Sequence, residues 1–233
     1  MSRVALVLDC HGEVPGIGSD LALLSQDERK KARRFVFDRD RHQYIRAAAL
    51  LRRQLGVRCG VAPETIGYER NAYGKLALSS VKPAPCAFNL SHTTRAILIG
   101  IAPENLGVDI EFTGGRPFPQ EIMSSVFSER ECRWMYQDPL GIQIAGFAHW
   151  TRKEAVIKAD GRGLSLEPAT FELMPEPLQP KPTEWRRDRW QCMLAQSAYF
   201  GATAALCSGW VYSVACAEEA DRDAFVQAFD LLC

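Results

Sequence analysis

The chain reads as an α+β protein of two similar α/β lobes, and three features lead there. Strand-like and helical runs both occur on either side of a turn at Ala102-Pro103-Glu104-Asn105. The length, 233 residues, suits two halves of roughly a hundred residues that can each bury apolar surface. A faint internal echo relates Val36-Phe37-Asp38-Arg39-Asp40 to Val126-Phe127-Ser128-Glu129-Arg130-Glu131, each standing before a helix. The expected division is an N-terminal lobe of residues 1–104 and a C-terminal lobe of residues 105–233.

Val4 to Leu8 is a short apolar strand, and the Gly/Pro-rich stretch Gly12 to Gly18 is the loop after it. Ser25 can N-cap a helix over Gln26 to Phe35, with acids in its first turn and bases in its last, as the helix dipole prefers. A longer helix starts at Asp38 or Asp40, presents Tyr44, Ala47, Ala48, Leu51 and Leu55 on one side, and is expected to stop at Gly56. Ile66 to Arg70 is strand-like, Asn71-Ala72-Tyr73-Gly74-Lys75 is a turn, and Ala87-Phe88-Asn89-Leu90-Ser91 starts another strand. The apolar runs Ala96 to Ile101 and Leu106 to Ile110 are two further strands, joined by a hairpin or an inter-lobe turn.

In the second half a Gly/Pro loop, Thr113 to Pro119, leads into helical material through Met123 and Val126. Ser128 and Glu131 have the spacing of a capping box. A helix around Trp150 to Lys158 closes at Gly161 and Gly163, and Thr170 to Leu173 resumes a strand before the proline-rich loop from Pro175 to Pro182. Trp190 to Leu194, Tyr199 to Leu206 and Val211 to Ala215 are strand-like, and Asp221 to Leu232 is helical.

Lys plus Arg equals Asp plus Glu at 28 each, with a pI near 6.9. No global field therefore favours nucleic acid or an anionic membrane, and any phosphate recognition must be local. The eight cysteines have no zinc-like spacing and read as reduced thiols. The first apolar run is too short for a signal core or a membrane span, so a cytoplasmic protein is expected.

The chemistry concentrates in Gly107-Val108-Asp109-Ile110-Glu111. On a strand, Asp109 and Glu111 share a face while Val108 and Ile110 face the core. Taken alone, such a pair is usually two solvated acids at a strand end. Apolar flanks place these two at the edge of a core, where desolvation is costly without a cation. In the helix around Trp150, Glu154 and Lys158 are i, i+4 neighbours, a spacing that otherwise marks a surface ion pair. Three acids brought together suit a divalent cation, and Mg²⁺ prefers oxygen ligands shared with phosphate. Asn89-Leu90-Ser91-His92-Thr93 offers small polar side chains and an imidazole, and the turn with Arg70, Gly74 and Lys75 adds two cations. His11, His42 and His149 read as structural.

Arg70 with Tyr73-Gly74-Lys75, Asn89-Leu90-Ser91-His92, Gly107-Val108-Asp109-Ile110-Glu111, Phe127-Ser128 with Glu131, Trp150 with Lys153-Glu154 and Lys158, and Gly161-x-Gly163-Leu164-Ser165 occur in this order. Together they resemble the Sfp-type 4'-phosphopantetheinyl transferases, from about Ser25 to Leu166. The resemblance implies a pseudo-twofold α+β fold, two lobes with coenzyme A between them, and a monomer. It implies Mg²⁺-dependent transfer of the phosphopantetheine arm to a serine of an acyl or peptidyl carrier protein of fatty-acid, polyketide or nonribosomal-peptide biosynthesis, releasing adenosine 3',5'-bisphosphate. By position, Asp109, Glu111 and Glu154 would gather the metal, with Glu154, Lys158 and Asp109 carrying the catalysis. Lys31, Arg70, Gly74, Lys75, Ser91, His92 and Lys158 would face coenzyme A. Glu28 departs from relatives that carry a base there, and Leu76 from relatives with proline. Two other readings use the same residues: a Mg²⁺-dependent coenzyme A pyrophosphate hydrolase, and a non-catalytic module that binds coenzyme A or a carrier protein.

Overall fold

In the computed structural model the residues described are 4–10, 17–79, 86–93, 95–114, 117–139, 141–175, 187–205 and 209–229. The chain is α+β. Strand β1 (Ala5–Cys10) pairs antiparallel with β5 (Ala96–Ala102), and β5 with β4 (Ala87–Thr93), giving a sheet in the order β1-β5-β4. A second sheet runs β6 (Leu106–Phe112), β10 (Trp210–Cys216), β9 (Ser197–Ala205), β8 (Arg187–Leu194), β7 (Leu173–Pro175). Strands β2 (Tyr68–Arg70) and β3 (Leu76–Leu78) form a small hairpin whose turn carries Gly74 in the left-handed region at φ 92°. The consecutive strands β5 and β6 belong to different sheets. The turn between them is a crossing point and not a hairpin, because β5 already has partners on both edges.

Helix α3 (Asp38–Cys59) packs on the first sheet through Ala47, Leu51 and Leu55, and α1 (Ile17–Leu23) and α2 (Gln26–Ala32) pack on the side of α3 that carries Ile45 and Ala49. Helix α1 falls where a Gly/Pro loop was expected to end, since Gly18 is tolerated inside it. Most of that loop, His11 and the proline-rich stretch after Pro175 lie outside the described residues. Ser25 caps α2 by accepting from the Glu28 amide, and Glu28 accepts in return from the Ser25 amide. Helix α3 runs straight through Gly56 to Cys59 and ends at Gly60, in the left-handed conformation at φ 68°. Gly56 is needed for a different reason: a Cβ there would meet the Val61 carbonyl oxygen at 2.9 Å. The glycine admits a close backbone, and the next glycine ends the helix.

In the second half come α4 (Met123–Val126), α5 (Glu129–Gln137), α6 (Gly141–Asp160) and α7 (Glu219–Phe229). The Ser128/Glu131 capping box starts α5 as its spacing foretold. Glu131 also accepts from the Leu173 amide and pairs with Lys153 at 3.0 Å, both side chains wholly buried. Residues 168–170 form a 3-10 turn, so β7 begins only at Leu173. The largest apolar cluster joins Val4, Ala96 and Leu98 to Leu106, Val108, Ile110, Tyr212, Val214, Phe225 and Phe229. It takes residues from both sides of position 104/105. The described cysteines, Cys10, Cys59, Cys86, Cys132, Cys192 and Cys216, are free thiols.

Candidate active site

Strand β6 lies against α6, and Gly107 makes that approach possible. A Cβ there would stand 2.1 Å from the Ala155 carbonyl oxygen and 2.4 Å from the Ala159 amide nitrogen. Alternation along β6 buries Val108 and Ile110 in the core and turns Asp109, two residues beyond Gly107, to the face where α6 carries Lys158. The Lys158 ammonium donates to Asp109 Oδ1 at 2.6 Å and to Ser91 Oγ at 3.0 Å, and Ser91 Oγ donates to the same Asp109 oxygen at 2.8 Å. Three segments far apart in sequence thus meet at one carboxylate. Strands β4 and β6 have no ladder between them; the Asn89 side chain bridges them instead, accepting from the Val108 amide at 2.9 Å.

Asp109 is buried, and its second oxygen, Oδ2, has no hydrogen-bond partner. A buried, unsatisfied carboxylate oxygen is costly unless something outside the chain completes it. Glu154, half-buried on α6, has its carboxyl held above the ordinary range by burial first, then by the negative charge of Asp109, with Glu111 adding to the effect and Lys158 opposing it. Asp109 and Glu111 lie close enough to Glu154 to raise it, and together the three carboxylates are a hard-oxygen donor set of the kind that suits Mg²⁺. They are not drawn into a ready coordination cage: among the described residues no three His, Cys, Asp or Glu side chains converge as metal ligands. Lys158 currently neutralises the acid that a cation would share.

Next to this node opens a cleft of about 730 Å³, lined among others by Lys31, Tyr44, Arg70, Gly74, Asn89 and His92. That volume suits a nucleotide-sized ligand. Lys31 stands over the Tyr44 ring, 4.8 Å from its centre. Arg70 donates to the Gly74 carbonyl at 2.7 Å, which folds the guanidinium back over its own turn. Gln43 holds β4 by donating to the Thr93 carbonyl at 2.5 Å and lies 3.4 Å from His92 Nδ1. The His92 imidazole is kept below its ordinary value by desolvation and by the nearby Lys158 and Lys31 charges.

Most residues singled out in the sequence meet here: Lys31, Arg70, Gly74 and His92 on the cleft wall, Ser91, Asp109 and Lys158 in direct contact beside it, and Glu154 and Glu111 within electrostatic reach. Lys75 differs. Its stem lines the cleft, but its ammonium donates to Asn105 Oδ1 at 2.5 Å, to the Leu106 carbonyl at 3.1 Å and to the Ala159 carbonyl at 2.8 Å. An ammonium has three donors, so none remains for a ligand phosphate. Glu28 is occupied too, pairing with the buried Arg52 at 2.8 Å, which is why an acid stands there. Arg52 and Tyr68, also on the cleft wall, carried no local sequence signal, since an arginine inside an amphipathic helix and a tyrosine in a strand are ordinary. His149 is structural, bonded to the Ala145 carbonyl and packed on Phe127.

Two family models and several known proteins match the chain. Residues 105–211 match the family model of the 4'-phosphopantetheinyl transferase superfamily, and residues 17–104 match the model described as 4'-phosphopantetheinyl transferase, N-terminal. The chain is 29% identical over 154 residues to 4'-phosphopantetheinyl transferase Sfp of Bacillus subtilis, covering 66% of this chain and 67% of that protein. It is 30% identical over 158 residues to 4'-phosphopantetheinyl transferase HetI of Nostoc, again 66% and 67% of the two chains. The mouse L-aminoadipate-semialdehyde dehydrogenase-phosphopantetheinyl transferase is 28% identical over 166 residues, 66% of this chain and 54% of its own. With the acids of β6, the lysine of α6 and the cleft beside them, these likenesses lead to one conclusion: the chain is an enzyme of the 4'-phosphopantetheinyl transferase superfamily.

Proposed function

We propose that the enzyme transfers the 4'-phosphopantetheine arm of coenzyme A to a serine of an apo acyl or peptidyl carrier protein, with Mg²⁺, and releases adenosine 3',5'-bisphosphate. The observation that carries the reading is the junction of Ser91, Asp109 and Lys158 beside the cleft that Lys31, Arg70 and His92 line. Coenzyme A would lie in that cleft with its phosphates toward Lys31, Arg70, the Gly74 backbone, Ser91 and His92. Asp109, Glu111 and Glu154 would hold the Mg²⁺, which supplies charge neutralisation at the pyrophosphate. The orphaned Asp109 oxygen supports that assignment.

In the reaction the carrier serine oxygen attacks the pantetheine-side phosphorus, forming one P–O bond as the bond to the bridging oxygen breaks. Glu154 accepts the serine proton, its raised pKa favouring that role. Lys158 stabilises charge developing on the departing bisphosphate. The reading also takes residues 1–104 and 105–233 as two pseudo-twofold lobes of a monomer working in the cytoplasm. Free thiols support that location, and among the described residues no helix is long and apolar enough to cross a membrane.

Intact mass spectrometry of a panel of apo carriers, incubated with the enzyme, coenzyme A and Mg²⁺, tests the proposal. A carrier gaining one phosphopantetheine arm, only with Mg²⁺, is the expected result. Release of phosphopantetheine without carrier would point to pyrophosphate hydrolysis. Coenzyme A binding indifferent to Mg²⁺, with no carrier modified, would point to a binding module. Either would overturn the transferase assignment.

A further inference from the structure

The β2–β3 turn and the end of α6 are joined by a set of bonds that the transfer chemistry does not require. Asn71 makes the turn by accepting from the Tyr73 and Lys75 amides, both at 2.9 Å, and its amide nitrogen donates to the Gly161 carbonyl at 3.0 Å. Lys75 donates to the Ala159 carbonyl, and Asn105 donates to the same oxygen at 2.6 Å while accepting from Lys75. The last carbonyls of a helix lack intrahelical partners and carry its negative pole, so the half-buried Lys75 ammonium is well placed there. Gly161 follows the helix at φ 86°, and a Cβ there would meet Lys75 Cδ at 2.9 Å. The glycine leaves room for the lysine.

We infer that Lys75, Asn71 and Asn105 form a clasp that positions α6, fixing Lys158 and Glu154 against the turn that walls the cleft. Lys158 directly precedes Ala159, the clasped residue, and Glu154 lies five positions before it on the same rigid helix. Lys75 is thus a positioning residue, and its effect on the reaction passes through the helix. Misplacement of reacting groups by about 1 Å can lower rate about a hundredfold, so slack at this point is expected to appear in turnover. The inference rests on the transferase reading for its kinetic consequence but not for its geometry.

Three variants test it in the full-length enzyme with coenzyme A, Mg²⁺ and a carrier that the wild type modifies. Asn71→Asp keeps the oxygen that makes the turn and removes the donor to Gly161. Asn105→Ala removes a residue that is not part of the cleft wall. Lys75→Met keeps the stem and removes the ammonium. Each is expected to lower kcat about tenfold or more, with coenzyme A Kd changed less than about threefold. Lys75→Met combined with Asn105→Ala should lose no more than the worse single variant, because the parts act as a unit. Should Lys75→Met fail to fold, the two asparagine variants carry the test. Weakened coenzyme A binding in Lys75→Met with a normal Asn105→Ala would show direct ligand contact and overturn the clasp, as would normal turnover in all three. If the wild type modifies no carrier, the functional reading fails. Hydrogen exchange then decides the clasp alone: faster exchange at amides 157–161 in Asn71→Asp supports it, and unchanged exchange overturns it.

Discussion

The ionisation of Glu154 is held back by its burial and by two carboxylates more than forty positions away in the chain. Burial and the charges of Asp109 and Glu111 make its proton harder to lose, while Lys158 works the other way. If Glu154 takes the serine proton, Glu154→Gln keeps shape and loses the base. The expected result is a kcat lowered about a hundredfold or more, the scale of general base catalysis, with coenzyme A affinity nearly unchanged. Stopped-assay kinetics beside calorimetric binding would check both halves of that statement.

His92 makes a prediction about pH. Its folded pKa is depressed below 6.5 by desolvation, Lys158 and Lys31. Below pH 6.5 the unfolded chain therefore takes up a proton that the folded chain refuses, so this residue's share of stability is lost on acidification through that window and restored as pH rises back to 6.5. Urea titrations of the ligand-free enzyme between pH 5 and 7.5 should show stability rising with pH more steeply than in His92→Gln. Identical slopes would contradict the assignment. Residues differ in how openly the sequence declares them: Ser25 with Glu28 and Ser128 with Glu131 signal their caps within four positions. Lys75 could not be read so, because its acceptors stand 30 or more residues downstream and nothing in a Gly-Lys turn names them.

Among the elements, the pairing of β6 with α6 has the greatest consequence. Strand β6 was legible from its alternation, and the second half of α6 from the stretch Trp150 to Lys158 with its closing glycines, while the turns from Gly141 onward carried no such signal. The contact of the two was not legible. It depends on Gly107 having no side chain, and a glycine in a strand is equally compatible with a bulge or a turn. Gly107→Ala sets a Cβ against α6 backbone atoms, which cannot rotate aside as a side chain would. The expected cost is about 1 to 3 kcal/mol of stability, with activity falling further as the helix bearing Glu154 and Lys158 shifts. Thermal unfolding and kcat/KM on one preparation would check it, and a variant unchanged in both would show that the helix does not rest there. The buried pair of Glu131 and Lys153 braces α6 from its other side, tying it to α5 and β7.

At the scale of the whole molecule, the two halves expected from length and from the faint internal echo share one apolar cluster. Val4 and Leu98 pack in it with Tyr212, Val214 and Phe229. A fragment of residues 1–104 would leave that surface in water, so it is expected to lack a cooperative thermal transition by circular dichroism; a sharp transition would show an independently folding half. The sequence pattern foretold the α+β class and most of the strands, since alternation is a local property, but it missed the three-residue β3 and set β7 too early. It could not foretell that β5 and β6, joined by a short turn, separate into different sheets, because pairing is decided by strands up to a hundred residues away.

Transfer by this site requires Asp109, Glu111 and Glu154 to hold one divalent ion against coenzyme A. Paramagnetic titration with Mn²⁺ as the probe measures this without reference to turnover. The expected result is one Mn²⁺ per chain in the presence of coenzyme A, and loss of that site in Asp109→Asn while coenzyme A still binds. An Asp109→Asn enzyme that binds Mn²⁺ as the wild type does would contradict it.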